Sequence, residues 1–351
     1  MIENVLAIET SCDDTSVAIV KRTGWVQSVV SASQDLEHAP YGGIVPEIAS
    51  RNHSIALIPL IEEALKNANT SWDEIHGIAV TNRPGLIGAL IVGLVTAKTI
   101  SQIRGIPYLG INHLEGHLLA PFLRDKEYSP PDDFDYPYLG LAISGGHTSL
   151  YIIRGLGDYE VIGATKDDAA GEAFDKFAKM VGLGFPGGVR VDQEAKKGKT
   201  DFHNFPRSLI NDGFDMSFSG LKSSAQRLVE EWGGEKTQAH LPDLCASYQE
   251  AIVDVLLSKL DQAAKRYKIK KIILTGGVSA NSRLRLRAQE MARKNSYQLV
   301  IPPIRYCTDN AAMIGYVGAL RMARGEFSDL SLGPSPQALA NDFKDSRPVR
   351  S

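Results

Sequence analysis

Two histidines four residues apart are the side chains best suited to bind a metal ion. His113 and His117 follow Asn112, a residue type that is favourable at the N-cap of a helix. On that helix the two imidazoles would lie about 40° apart around the axis and project from one face. Such a pair can chelate a transition metal. The alternative is two unrelated surface or capping histidines.

A third metal ligand has to come from another part of the chain, and Asp309 is the candidate. It stands at the predicted start of an apolar helix that ends near Met322. An aspartate at that place is equally typical of an N-cap, and both roles can coexist because a carboxylate has two oxygens. Two imidazoles and a carboxylate accept iron, zinc, manganese or other ions, so these residue types leave the metal open.

Glu115 distinguishes this segment from the His-Glu-x-x-His helix of zinc proteases. It follows His113 by two residues, so about 200° of helical rotation separates the two side chains. Glu115 could not then activate a metal-bound water as the protease base does. Peptidase chemistry is therefore disfavoured.

Glycine-rich turns follow predicted strands at residues 144–147, 186–188 and 276–281. Successive backbone amides in such turns can bind an anion, although a single Gly-Gly is more often only a tight turn. Asn281 could contact a ribose or base, or cap the helix that follows it. Asp13 and Asp14 lie in the first predicted hairpin turn, where they could face a metal or phosphate or serve as ordinary turn residues.

The elements that would position these residues occur in the same order twice: hairpin, third strand, helix, strand, glycine turn and helix. The predicted strands are 5–8, 16–20, 26–32 and 75–81, and then 138–143, 149–153, 159–164 and 271–275. This order predicts an internal structural duplication. A helix over 53–66 is expected to bury nearly all its apolar residues, including Ile55 and Ile58. The apolar run 86–97 predicts a buried helix too short to span a membrane.

Composition limits the classes of protein that remain. The chain has 351 residues, enough for two domains, and a formal net charge of −3 that gives no global sign of nucleic-acid binding. Ten Lys or Arg occur between Lys265 and Lys294 against one acid, Glu290, which predicts either a solvated helix end or a phosphate-facing patch. Three dispersed cysteines and an acidic N-terminus predict a cytoplasmic protein without disulfides or a signal peptide.

Eight phrases of the sequence carry a resemblance to one family. They are IETSCDDT (8–15), YGGIVPE (41–47), HLEGH (113–117), SGGHT (144–148), DDAAGEAFDK (167–176), SFSGLK (217–222), GGVSAN (276–281) and CTDN (307–310). In this order, over nearly the whole chain, they resemble the bacterial tRNA N6-adenosine threonylcarbamoyltransferases, the TsaD family.

The resemblance implies an α/β fold of the duplicated actin-like (ASKHA) type, which agrees with the repeated order of elements. Each of two lobes would contain a mixed five-stranded sheet flanked by helices. The first lobe would span 1–130 and be completed by the C-terminal helix near 308–325. The second would span 131–307 and carry a helical insertion at about 169–260.

The function that the resemblance implies is transfer of a threonylcarbamoyl group from threonylcarbamoyl-AMP to the N6 amine of adenosine 37, in tRNAs that read ANN codons, with release of AMP. The implied partners are tRNA, a smaller TsaB-like paralogue, a TsaE-like ATPase and a separate synthase that provides the adenylate; no membrane is expected. The rival functions are an ATP-dependent kinase or ATPase of the same fold, a non-catalytic scaffold and a metallopeptidase.

The resemblance also implies roles for individual residues. His113, His117 and Asp309 match the family's metal ligands for one divalent ion per subunit, iron(II) or alternatively zinc. Asp13 matches an acidic residue of the cleft, and Asp13 or His147 is expected to take the proton of the attacking amine. The positions that match the family's adenylate-binding residues are Ala142, Ile143, Ser144, Gly145, Gly146, Asp175, Gly188 and Asn281.

Overall fold

Two five-stranded mixed sheets organise the part of the chain that the computed structural model describes, residues 2–337. Among these residues, the first unit comprises 2–133 together with 305–337. The second unit comprises Phe134–Ile304. Each sheet belongs to one unit, so each unit has its own core.

Each unit begins with three consecutive strands, and helices and further strands follow them. The strands are β1 (Asn4–Glu9), β2 (Thr15–Lys21), β3 (Val26–Ala32), β4 (Gly77–Arg83), β5 (Tyr108–Asn112), β6 (Tyr138–Ile143), β7 (Thr148–Gly155), β8 (Asp158–Ala164), β9 (Lys271–Thr275) and β10 (Gln298–Val300). The helices are α1 (Asp35–His38), α2 (Pro46–Asn67), α3 (Ile87–Arg104), α4 (His113–Leu119), α5 (Ala170–Met180), α6 (Gly187–Ala195), α7 (Ser219–Ala239), α8 (Leu241–Tyr267), α9 (Ser282–Asn295), α10 (Ile304–Cys307) and α11 (Ala311–Ala323).

The two sheets have the same topology. Their strand orders are β3-β2-β1-β4-β5 and β8-β7-β6-β9-β10, so in each unit the first strand pairs antiparallel with the second and parallel with the fourth. This repetition confirms the predicted duplicated actin-like α/β fold. The edge strands β5 and β10 carry no periodic signal that marks them in the sequence.

Helices cover both faces of the first sheet. Leu6 and Ile8 of β1 share a core with Leu57 of α2 and Leu94 of α3. On the opposite face α11 packs against β1, β2 and β4. This approach is close, because a Cβ added at Gly318 would lie 2.4 Å from the Cβ of Ala79. Burial on both faces explains why β1 is an almost continuous apolar run.

The helices α2 and α3 differ from their sequence-based predictions. Helix α2 begins at Pro46, and its Ile55 and Ile58 are 68% and 52% exposed, so the prediction that they are buried is wrong. Helix α3 is eighteen residues long rather than about a dozen. By length and composition alone it could cross a membrane, but a single such helix is weak evidence of a span. One side of it packs against β4 and α2, but only 28% of its eighteen residues are buried, so the prediction of a buried helix is wrong for its outer side.

The second sheet shares one core with the helices that follow it. Leu141 of β6 and Leu274 of β9 lie in a cluster with Phe174 and Phe177 of α5 and Tyr248 of α8. Helices α5 to α8 all lie between β8 and β9 in the sequence. The turn before α6, the start of α9 and the end of β6 therefore all belong to the second unit.

Candidate functional site

Helix α4 presents both histidines from one short segment. Its N-cap is Asn112, whose side chain accepts a hydrogen bond from the backbone N–H of Leu114 at 2.8 Å. The Nε2 atoms of His113 and His117 lie 3.1 Å apart, and the rings meet edge to face. Both side chains are buried. Two unrelated surface histidines are therefore excluded.

Asp309 meets both rings from the start of α11. Its Oδ1 lies 3.1 Å from Nε2 of His117 and 3.3 Å from Nε2 of His113. The N-cap of α11 is the next residue, Asn310, whose side chain accepts from the N–H of Met313. The sequence allowed Asp309 to be either the N-cap of this helix or a metal ligand. Asn310 is the N-cap, and the Asp309 carboxylate faces the histidines.

The three donor atoms fit a single cation. Ligand atoms that bind one ion at about 2.1 Å are about 3.0 to 3.4 Å apart for angles between 90° and 109°. The separations of 3.1, 3.1 and 3.3 Å lie in that range. His113, His117 and Asp309 are the group of His, Cys, Asp or Glu side chains among residues 2–337 that could hold a metal. Their donor set suits iron(II) or zinc(II) and does not discriminate between them.

Electrostatics favour a charged partner at this place. Burial alone would raise the pKa of the Asp309 carboxyl, but the charge and hydrogen bond of His113 outweigh it and hold that pKa well below its usual range. Burial would likewise lower the pKa of His113, yet the charges of Asp309 and Glu9 raise it well above the ordinary value. The two carboxylates therefore stabilise a positive charge beside them, whether a proton or a metal ion carries it.

Glu9 contacts the His113 ring at Nδ1, the nitrogen that does not face His117 and Asp309. Its Oε2 lies 2.9 Å from Nδ1 of His113 and accepts from Oγ1 of Thr81 at 2.5 Å, while its Oε1 accepts from the N–H of Ser11 at 2.6 Å. Sequence reasoning missed Glu9, Ser11 and Thr81 as members of this site. A signal was available, because Glu9 is a charged residue that directly continues the apolar run 5–8 of a buried strand.

Glu115 faces a different partner, as the helical geometry predicts. Its carboxylate accepts hydrogen bonds from Nε of Arg321 at 2.9 and 3.1 Å and from Nη2 at 2.8 Å. Nη1 of Arg321 donates to Glu326 at 2.6 Å. This buried ion pair joins α4, which carries the histidines, to α11, which follows Asp309.

The hairpin turn between β1 and β2 carries Asp13 and Asp14. Burial, together with the charge of Asp13, raises the pKa of Asp14 to about 7. Burial also raises the pKa of Asp13, and the charge of Asp309 adds to that effect. His53 supports the turn, because its ring nitrogens lie 2.7 Å from Oγ1 of Thr15 and 2.9 Å from the carbonyl oxygen of Cys12. Sequence reasoning did not distinguish Asp14 as a group that titrates near neutrality.

In the second unit, the 144–147 and 276–281 turns follow the carboxyl ends of β6 and β9, whereas the 186–188 turn lies between α5 and α6, so the prediction that it follows a strand is wrong. The strands β6 and β9 are parallel, with Ala142 paired to Thr275. Gly276 follows with φ +84°, and a Cβ there would lie 2.4 Å from the carbonyl oxygen of Ile143. In α/β sheets ligands bind at the carboxyl ends of parallel strands. The Cβ positions of Gly145 and Gly146 have no atom within 4 Å, so this turn has open space beside its backbone.

The side chains of three predicted adenylate residues, Ser144, Asp175 and Asn281, help to build the glycine turns. Oδ1 of Asp175 accepts from the N–H of Gly187 at 2.8 Å and of Gly188 at 3.3 Å. Asn281 caps α9 through Leu284 and donates its side-chain N–H to Gln249 at 2.6 Å. Of the two roles left open for Asn281, the structure has the cap. His147 closes the 144–147 turn by donating its backbone N–H to Oγ of Ser144.

Comparison with known proteins gives one consistent family. A family model described as "TsaD: tRNA N6-adenosine threonylcarbamoyltransferase" matches residues 26–316. A relative of that name from Bdellovibrio bacteriovorus is 77% identical over 345 residues, which cover 98% of this chain and 100% of the relative. A relative of the same name from Syntrophus aciditrophicus is 47% identical over 328 residues, 93% of this chain and 95% of the relative.

Solved structures resemble this chain in fold at low identity. HypF from T. kodakarensis superposes with a TM-score of 0.62 at 13% identity, over 92% of this chain and 48% of that protein. Component A of (R)-2-hydroxyglutaryl-CoA dehydratase from Acidaminococcus fermentans gives 0.54 at 13% identity, over 92% and 99%. These likenesses concern the fold alone. The family model and the relatives are decisive, and the chain belongs to the TsaD family of tRNA N6-adenosine threonylcarbamoyltransferases.

Proposed function

We propose that this chain transfers the threonylcarbamoyl group of threonylcarbamoyl-AMP to the N6 amine of adenosine 37, in tRNAs that read ANN codons, and that a divalent metal ion is required. The observation that carries the proposal is the meeting of His113, His117 and Asp309 within 3.3 Å in a chain of this family. A kinase or ATPase of the same fold does not need such a histidine pair, and Glu115 is already bound by Arg321, which disfavours a peptidase.

In the proposed reaction the N6 nitrogen forms a bond to the carbamoyl carbon, and the bond from that carbon to the phosphate oxygen breaks. AMP leaves with the electron pair, and one amine proton passes to a base. Asp13 is our first candidate for that base because its raised pKa makes it a better proton acceptor than an ordinary carboxylate; His147 is the second. The metal ion, held by the triad, would supply Lewis-acid and template chemistry to the donor's oxygens.

The glycine turns of the second unit are the proposed adenylate site. Their backbone N–H groups can donate to phosphate oxygens, and the open space beside Gly145 and Gly146 leaves room for the ligand. Asp175 and Asn281 would act mainly by holding the turns in place, since their side chains already bond to Gly187 and Leu284. Because the donor is an activated anhydride, positioning and charge stabilisation would supply most of the rate.

The test is reconstitution with the adenylate donor, unmodified tRNA and the two proposed protein partners, followed by nucleoside analysis. We expect His117→Ala to abolish modification and metal binding together. His76→Ala is the matched control, because His76 contacts Asn4 at the other end of β1. Undiminished turnover after complete metal stripping would refute the metal requirement. Steady ATP turnover by this chain alone without tRNA would favour the ATPase alternative.

The smaller paralogue is proposed to dock on the exposed apolar side of α2 and α3. Both helices share a core with the same face of the sheet, so their outer sides both face away from it. Ile55, Ile87, Ile91 and Val95 are 68%, 41%, 44% and 55% exposed there. Such a concentration marks interaction surfaces. Ile91→Asp should abolish capture of the paralogue, and Leu36→Asp, at an 86% exposed leucine outside these helices, should not.

The proposed tRNA surface is narrower than the basic run of the sequence. Arg283 and Arg287 pair with Glu250, and Lys265 and Lys271 pair with Asp261 and Asp135. Five other cations of the run 265–294 have no ion-pair partner among the described residues. All five are exposed: Arg266, Lys268, Lys270, Arg293 and Lys294. They lie at the ends of α8 and α9 and at the start of β9, the end of the strand opposite the glycine turns.

Neutralising this cluster tests its role. Changing Lys268, Lys270 and Lys294 to Gln should weaken tRNA binding and lower its salt slope by about 0.7 to 0.9 for each lost phosphate contact. Changing the paired Lys265 and Lys271 to Gln is the control and should have less effect. An unchanged salt slope in the triple variant would remove this surface from the proposal.

A further inference from the structure

Glu9 is a fully buried acid at the end of an apolar strand. It is the last residue of β1 and has no exposed surface. Burying a carboxylate costs several kcal/mol in effective terms unless its oxygens are well bonded. Here Ser11, Thr81 and His113 bond to them. A neutral residue would fill this position without that cost, so the carboxylate itself needs a reason.

The contact with His113 provides that reason. An ionised carboxylate only accepts hydrogen bonds, so the imidazole must donate from Nδ1 across the 2.9 Å to Glu9. The neutral ring then has a bare lone pair on Nε2. That same Nε2 atom lies 3.1 Å from His117 and 3.3 Å from Asp309. The carboxylate thus selects the tautomer whose free nitrogen points at the other two donors.

We propose that Glu9 is a positioning residue for the metal site and acts through the tautomer and orientation of His113. The inference rests on the proposed function, because it presupposes that the triad binds a metal. Glu9 would touch neither the ion nor the substrate. Together with Asp309 it would also give the site two negative charges, which balance one divalent cation.

His117 offers an internal comparison. Its Nδ1 is buried and has no hydrogen-bond partner among the side chains and backbone groups of residues 2–337. The surroundings of the two Nδ1 atoms therefore differ: that of His113 faces the Glu9 carboxylate, with the Ser11 hydroxyl 3.2 Å away, and that of His117 faces no such acceptor among the same residues. Loss of the Glu9 carboxylate should consequently disturb one ligand of the three and weaken binding without abolishing it.

The experiment measures binding of Co²⁺ and Zn²⁺ alone to the full chain, by competition with a chromophoric chelator. Partners that orient a metal-bound histidine typically contribute 10–100-fold in metal affinity. We expect Glu9→Gln to weaken binding by about that factor and to change the Co²⁺ absorption spectrum. Thr81→Val is the matched control: it removes a hydrogen bond to the same carboxylate but has no contact with the ring, and it should leave both readouts near wild type.

Each alternative outcome is decisive. Wild-type affinity and spectrum in Glu9→Gln would overturn the proposal, and so would an equal loss in Thr81→Val, which would assign the effect to strand packing. Absence of binding by the wild type would refute the metal site of the proposed function instead. Should Glu9→Gln fail to fold, histidine ¹⁵N spectra of the metal-free wild type, recorded at a pH where the His113 ring is neutral, decide the matter. The proposal requires a proton on Nδ1 of His113, and a proton on Nε2 would contradict it.

Discussion

Replacing Arg321 with Met tests how the two ligand-bearing helices are held together. Arg321 donates three hydrogen bonds to Glu115 and one to Glu326, and the side chains of the first pair are only 8% and 3% exposed. Met fills much of the same volume, so the main loss is electrostatic. The substitution removes the guanidinium that three hydrogen bonds hold against the buried Glu115 carboxylate.

The expected cost is large for a single substitution. Removing one partner of a buried ion pair typically destabilises a protein by about 3–5 kcal/mol, because the remaining charge is uncompensated. For a unit of this size about 2–4 °C of Tm corresponds to each kcal/mol, so the transition of the first unit should fall by roughly 6–20 °C. Urea unfolding should show a lower midpoint at an unchanged slope.

Two further variants separate the mechanism from general damage. The double variant Glu115→Gln with Arg321→Met should recover part of the loss, since it removes the buried charge as well. Arg305→Met is the matched control in the same unit, because the Arg305 side chain is 39% exposed and pairs with Asp125. It should cost no more than about 1 kcal/mol. If Arg321→Met were no more costly than Arg305→Met, the reasoning about this buried pair would be refuted.

Two other predictions concern the second unit. Lys259 is fully buried and donates to the carbonyl oxygens of Asp212 and Gly213 at 3.0 and 2.8 Å, so Lys259→Met should cost about 2–4 kcal/mol in urea unfolding, whereas Lys265→Met, at an exposed pair, should cost under about 0.5 kcal/mol. Asp167 accepts four hydrogen bonds at the start of α7. Burial would raise its pKa, but these bonds lower it, so its stabilisation is present above the unfolded pKa of about 3.9 and is lost as the pH falls through the folded pKa. Asp167→Asn should therefore cost about 1 kcal/mol at pH 7. This difference in unfolding free energy should shrink as the pH falls through the folded pKa of Asp167, and a difference that did not shrink on acidification would contradict the prediction.

Much of the metal site could be predicted from residue types and spacing, because local helix geometry determines where its histidine side chains point. The four-residue spacing of His113 and His117 places both rings on one side of any helix, and the two-residue offset turns Glu115 away. The phrases of the TsaD family then single out Asp309, 192 residues from His117 along the chain. No local pattern could have shown that its carboxylate lies 3.1 Å from that ring.

What the sequence could not show are features that depend on tertiary packing. An apolar residue on a helix looks the same whether it faces a core or an exposed surface, and so Ile55 and Ile58 were assigned to the wrong side of α2. Helix α3 was predicted too short because its apolar run ends before the helix does. The sequence marks Glu9 only as an acid that continues an apolar strand, and its partners become known when β4 and α4 bring Thr81 and His113 to it.

Several residues of the phrases that identify the family contact residues of another such phrase. Asp167 of the 167–176 phrase holds the start of α7 in the 217–222 phrase. Glu9 of the first phrase holds His113 of the third, which in turn faces Asp309 of the last. A phrase can therefore mark a functional site although many of its side chains never contact a ligand. Substitutions at such positions should change the affinity for metal or substrate indirectly, because they displace the backbone or rotate a ring. Binding and spectroscopic measurements can therefore distinguish these residues from those that contact the metal or the substrate.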